Sequence, residues 1–342
     1  MFVLTRLLHQ GDWDNLWKKY FPPVTKKSIY SKYVLSIHHT LNYGEINYVI
    51  YDCKYSNLND SPIRIYGYGS TDRPYLKILI GKSDFINNFV KPYNMSKSAM
   101  ASTIGVHVPG SIALQKNTII NSQTALNKFG SSFAEGTAYF TTYLNCSVTQ
   151  AAVSYCDPNY NGGSTIYNHC ENGFKFTLSN ITSNCALHQA GYQILSRNII
   201  GEISFLILKN NTSMSNNVCS HKGNISIKNS VFTRNNMIGG KAIIEVNEDK
   251  FGKMKNSSIT ISNCLITNNN GWTSIKNSHN GSTVFVSDSI VDSQISGTVR
   301  TESIRENGEI KIGEKIYNIL TKPTDLLEIF YKKKVVVKKA MI

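Results

Sequence analysis

The 342-residue sequence is short of charge, and of acid above all: 17% of its residues are Asp, Glu, Lys or Arg, and 22 are Asp or Glu. Helical proteins dress their exposed faces in Lys, Glu and Arg, so this composition argues against a mostly helical chain. The polar surface must instead come from Asn, Ser, Thr and Tyr. The seven cysteines, Cys53, Cys146, Cys156, Cys170, Cys185, Cys219 and Cys264, include no C-x-x-C pair and no zinc-type Cys/His spacing. No metal site and no cofactor are therefore expected, and the odd count excludes complete intramolecular pairing. The opening MFVLTRLLHQGDWDNLW lacks the apolar run of a signal peptide. No stretch approaches the ~18–20 apolar residues of a membrane span, so no transmembrane segment is expected.

The formal charge is +14, a balance compatible with an anionic partner. Much of it sits at the ends, on Lys18, Lys19, Lys26, Lys27 and Lys32, and on Lys332, Lys333, Lys334, Lys338 and Lys339. Terminal lysine runs read as solvated tails, with weak adhesion to an acidic surface as the second reading and no nucleic-acid partner expected.

What the chain does contain is a repeat. Five segments superpose without gaps: IYDCKYSNL from Ile50, IGKSDFINN from Ile80, IKNSVFTRN from Ile227, ISNCLITNN from Ile261 and VSDSIVDSQ from Val286. With the first residue as position zero, the residues two before it (Tyr48, Ile78, Ile225, Ile259, Val284) share its phase, as on one face of a strand. At positions three and five the inward phase returns on odd numbers, first small (Cys53, Ser83, Ser230, Cys264, Ser289), then large (Tyr55, Phe85, Phe232, Ile266, Val291). A strand changes phase only at a bend. Position two, with Asp52, Lys82, Asn229, Asn263 and Asp288, supplies it, because Asn and Asp tolerate the left-handed backbone; Lys82 is the exception. Position eight, with Asn88, Asn235 and Asn269, marks a second corner where amides would stack from coil to coil; Leu58 and Gln294 depart from it.

Strand, Asn corner, strand, Asn corner is the plan of an all-β, right-handed parallel β-helix. Coils are expected from 45 to 320, with looser ones at Phe174, Phe176, Leu178 and at Ile203, Phe205, Ile207. An all-β sandwich is the alternative, but it leaves the recurrent phase switch unexplained. Solenoid ends need covering. Residues 1–44 hold a candidate capping helix with Trp13, Leu16, Trp17 and Tyr20 on one side, and 321–342 a second cap with Leu326, Leu327 and Phe330 before the basic tail.

Catalytic chemistry has little to stand on. Glycoside hydrolysis needs two placed carboxylates, and this acid-poor chain has no Asp-Asp pair and no Gly-His-Gly element. His38 and His39 are adjacent on an alternating strand, which sends their rings to opposite faces. Asp157 in DPNYNGG reads as a corner residue, and Glu302, Glu306 and Glu309, interleaved with Arg300, Arg305 and Lys311, as solvated strand faces. Cys53 and Cys264 share their position with serines, so they read as small inward residues. Sequons at Asn94, Asn145, Asn180, Asn210, Asn211, Asn224, Asn256 and Asn280 would suit a secreted glycoprotein, though an Asn/Ser/Thr-rich chain generates many by chance.

The segments IYDCKYSNL, IKNSVFTRNN and ISNCLITNNN, with SYCDPNYNGG, resemble the right-handed β-helix repeat proteins of the pectin-lyase-like superfamily. More narrowly, they resemble the Asn- and Cys-containing, polymorphic-membrane-protein-like surface proteins of anaerobic parasitic protists. The resemblance implies an extracellular or cell-surface protein that acts by adhesion or display, with glycans or host-surface molecules as partners; the missing carboxylate clusters make a non-enzymatic role the expectation. A polysaccharide-modifying lyase or glycoside hydrolase of the same fold is the alternative it leaves open.

Overall fold

The computed structural model describes residues 14–21, 27–31, 37–40, 47–66, 76–90, 103–108, 110–124, 136–142, 144–160, 163–170, 172–215, 217–239, 242–247, 257–278, 281–292 and 294–304. The chain winds as a right-handed parallel β-helix, and among the described residues the strands pair in parallel from one coil to the next. Each full coil contributes to three sheets. In one coil the strands are Asn47–Tyr51, Lys54–Ser56 and Ile63–Tyr66; the next supplies Leu76–Gly81, Asp84–Ile86 and Ile104–Val108. Parallel pairing already begins upstream of residue 45, where Lys27–Ser31 pairs with Asn47–Tyr51 and Ile37–Thr40 with Ile63–Tyr66.

The five aligned segments lie in register. Ile50, Ile80, Leu114, Val148, Phe176, Ile203, Ile227, Ile261 and Val286 form one column of the first sheet. Four coils that the superposition did not align, anchored at Leu114, Val148, Phe176 and Ile203, fill the gap between Ile80 and Ile227. Position five forms the matching column of the second sheet: Tyr55, Phe85, Ile119, Val153, Ile181, Leu208, Phe232, Ile266 and Val291. All of these are buried, and the Tyr55 and Phe85 rings stack at 5.0 Å. Burying such side chains contributes roughly 1.5–3 kcal/mol each.

The corners explain the phase switch. Position two has positive φ in Asp52, Lys82, Lys116, Gln150, Leu178, Phe205, Asn229, Asn263 and Asp288. Lys82, the exception in residue type, conforms in backbone (φ 47). Leu178 and Phe205 were expected inside strands; they occupy this corner instead (φ 53 and 55), so the inward residues that follow are Ser179 and Ile181, and Leu206 and Leu208. An apolar corner residue mimics the third member of a strand alternation, which is why these two coils read loosely. The second corner differs by one residue from its expected place. The left-handed residue is at position seven, in Asn57, Asn87, Asn121, Tyr155, Ser183, Asn210, Arg234 and Asn268.

Position eight turns inward, and there the amides do stack. The Asn184 Nδ2 donates to Asn211 Oδ1 at 3.1 Å, Asn211 to Asn235 at 3.0 Å and Asn235 to Asn269 at 3.0 Å. Each Oδ1 also accepts the main-chain N–H of position eight on the preceding coil. Position three does similar work with hydroxyls and thiols: Ser83, Ser230 and Ser289 donate to the carbonyl two residues back and accept the N–H of position three one coil before. Backbone groups at a tight corner have no ladder partner, so buried Asn and Ser side chains satisfy them.

The expected N-terminal helix forms over residues 14–20. Trp17 and Phe21, with Leu16 and Tyr20 half-buried beside them, pack on Val49, Tyr51, Leu79 and Ala113. Those residues alternate with the inward column, so the helix covers the outer flank of the first sheet across three coils. Trp13 and the second expected cap at 321–342 lie outside the described residues.

Candidate binding surface

The position-eight ladder sets up the most unusual surface of the molecule. Three residues beyond each inward amide the chain still turns between the second and third sheets, and side chains there point outward. Short strands Cys185–Ala186, Thr212–Ser213 and Asn236–Met237 pair in parallel, and Asn236 bridges to Asn270. That pairing brings Leu187, Met214, Ile238 and Trp272 to equivalent places on four successive coils. Leu187 is half-buried, but Met214 is 46% exposed, Ile238 61% and Trp272 83%. Since parallel strands are ~4.8 Å apart, the result is a straight apolar ridge. Beside it stand the neutral side chains Thr212, Asn236 and Asn270, with Asn270 Nδ2 donating to Asn236 Oδ1 at 2.9 Å.

A concavity of about 650 Å³ lies between the N-terminal helix and the outer face of the first sheet. Lys19, Tyr20, Ser147, Lys175, Thr177 and Glu202 line it, with Glu202 3.8 Å from Lys175 Nζ. Both partners of that pair are about half exposed, so it is a weak surface contact.

The third sheet carries polar groups into the core. Asn168, His221 and Asn277 stand in one register row with His39, Ile65, Val106, Phe140, Ile194 and Val246. His221 is fully buried, and its Nε2 meets the Tyr192 hydroxyl at 3.0 Å. Burial pushes the imidazole down to about 3 and the Tyr192 phenol well above its ordinary range. Sealed from solvent, this pair orders the core.

Its titration has a measurable consequence. The folded state holds His221 neutral, whereas the unfolded chain takes up a proton near pH 6.5. Stability from this group is therefore complete above pH ~6.5 and falls by about 1.4 kcal/mol per unit as pH drops toward 3. Urea midpoints from pH 7 to 4 should show that slope, and His221→Phe should flatten it by the same amount.

The other sequence candidates separate cleanly. Asp157 is buried at a corner with φ 48, and its carbonyl accepts the Tyr160 N–H. Cys53 and Cys264 are buried at position three, their thiols directed at the Tyr51 and Ser262 carbonyls. His38 and His39 lie in the strand Ile37–Thr40, and their side chains are outside the described residues. Arg300 and Glu302 are exposed on the last strand, Val299–Glu302; Arg305, Glu306, Glu309 and Lys311 are outside the described residues. Among the sequons, Asn211 is committed to the buried ladder, whereas Asn145 and Asn210 are exposed; Asn94, Asn256 and Asn280 are not described. Among the described residues, no three His, Cys, Asp or Glu side chains group as a metal site would require, and no helix is long and apolar enough to cross a membrane.

Sequence reading missed the ridge because the superposed segments end at position eight. Extending two of them, to NNMI and NNNGW, reaches Ile238 and Trp272 at position eleven, and NNTSM of the unaligned coil at Ile203 reaches Met214 at the same place. The fold defines a parallel β-helical solenoid with an exposed apolar ridge along its second corner. No protein-family model, curated protein or solved structure matches the chain.

Proposed function

We propose that the protein is a non-enzymatic binding solenoid whose Met214–Ile238–Trp272 ridge docks a glycan. The carrying observation is the ridge itself: three large apolar side chains, 46–83% exposed, aligned on consecutive coils of a molecule whose other large hydrophobics are mostly inside. Exposed apolar surface that is aligned and rimmed by polar groups is characteristic of interaction sites. A saccharide suits this rim, because a sugar ring offers a C–H face to an indole and hydroxyls to neutral amides such as Asn236 and Asn270. Adhesion at a cell surface, in the manner of the β-helix repeat proteins that the sequence resembles, is the setting this reading favours.

The test is binding of labelled protein to an array of neutral and acidic glycans, alongside the double variant Trp272→Ala/Ile238→Ser. Wild type should bind a subset, and the variant should bind at least tenfold more weakly with an unchanged melting temperature, because both side chains face solvent. Equal binding by the two proteins, or no binding by wild type across the array, would overturn the proposal.

A further inference from the structure

The cysteines divide by what their sulfurs touch. Cys53, Cys156 and Cys264 direct their thiols at the main-chain carbonyl two residues back, as the corner serines do. Cys219 is buried in register with Tyr192, and Cys185 is half-buried in the short strand Cys185–Ala186. The remaining two share one partner. Cys146, in the first-sheet strand Asn145–Thr149, and Cys170, closing the third-sheet strand Ser164–Cys170, are both buried, and both sulfurs lie against the side chain of Asn168.

Asn168 holds them together. Its Nδ2 lies 2.8 Å from Cys146 Sγ and its Oδ1 2.9 Å from Cys170 Sγ, and Thr142 Oγ1 is 3.2 Å from Cys170 Sγ. One fully buried amide thus clamps two sulfurs from opposite ends of a single coil, between Phe140 and Ile194 in register. An Asn so placed is expensive to bury unless its two ends are engaged. Here sulfur occupies both.

We propose that Cys146 and Cys170 form a disulfide when the chain folds under oxidising conditions, closing the coil on itself. A disulfide of the oxidised-glutathione class supplies the oxidant. One cysteine, as thiolate, attacks it and releases one glutathione thiol. The second, after losing its proton to solvent, attacks the mixed disulfide; the Cys146–Cys170 bond forms and the second glutathione thiol leaves. Two protein thiols are oxidised and one glutathione disulfide is reduced to two thiols. Exchange of this kind needs a thiolate in contact with the oxidant. Burial holds the Cys170 thiol well above its ordinary range in the reduced fold, so exchange belongs to the folding chain, before the core closes.

The full chain refolded from guanidinium in a glutathione redox buffer, then denatured, alkylated and digested, tests this by mass spectrometry. The expected product is one crosslinked peptide pair, Cys146 to Cys170, lighter by two hydrogens and separated by dithiothreitol, with the other five cysteines alkylated. Alkylation of both Cys146 and Cys170, or linkage of either to another cysteine, would overturn the proposal. Closing a loop between residues 146 and 170 should also favour the folded state roughly a hundredfold over the reduced protein. Equal urea midpoints for the oxidised and reduced forms would count against a bond formed in the native geometry.

Discussion

Replacing Asn211 with alanine is expected to destabilise the protein by on the order of 4 kcal/mol, although it removes a small polar side chain from a chain rich in them. Asn211 is fully buried and sits in the middle of the position-eight ladder. Its Oδ1 accepts both the main-chain N–H and the Nδ2 of Asn184, at 3.0 and 3.1 Å. Its Nδ2 donates to the Ile181 carbonyl and to Asn235 Oδ1, both at 3.0 Å. Alanine strips a partner from the buried Asn184 N–H and from the Ile181 carbonyl at once, and leaves the Asn184 amide with the Val153 carbonyl alone; each such loss costs about 1–3 kcal/mol. Guanidinium unfolding measures the effect. Asn270→Ala is the control: its amide bond to Asn236 is on the surface, and its removal should cost no more than about 0.5 kcal/mol. Equal costs for the two substitutions would show that the buried ladder contributes nothing special.

Gly136→Ala should be more damaging still, with a loss above about 4 kcal/mol. Gly136 opens the strand Gly136–Thr142 with φ +108, a conformation that strains any side chain, and it is in register with Ser164 of the next coil. A Cβ placed there would lie 1.4 Å from the Ser164 carbonyl oxygen, so the two coils must part. Low soluble yield and a collapsed unfolding midpoint are the expected readouts. Gly173→Ala provides the contrast. Its Cβ would meet only the Asn145 Oδ1, at 2.8 Å, and that side chain is on the surface and can swing away. A cost near 1 kcal/mol or less is expected there.

These two predictions differ in how legible their residues were. Asn235 and Asn269 were visible as recurrent amides at a fixed place in the repeat, and their stacking follows from that recurrence. Asn211 belongs to a coil whose corner is Phe205, and Gly136 to a stretch with no aligned segment at all. The Lys82 and Phe205 corners make the same point. Left-handed geometry is imposed there by strands already fixed on both sides, and the neighbours' pairing outweighs the ~1–2 kcal/mol preference of the residue.

The sequence by itself determined the parallel coil, the phase switch at position two, the inward small-then-large pair and the amphipathic helix. All of these are periodic, and each follows from alternation or from backbone preference within a few residues. Tertiary structure alone decided which flank the helix covers, that Asn168 would clamp Cys146 to Cys170, and that Met214, Ile238 and Trp272 would align as a ridge. Those relations join residues on different strands or coils, at separations set by loops of unequal length. Only the register of the stacked coils, established by parallel hydrogen bonding over the whole solenoid, converts them into neighbours.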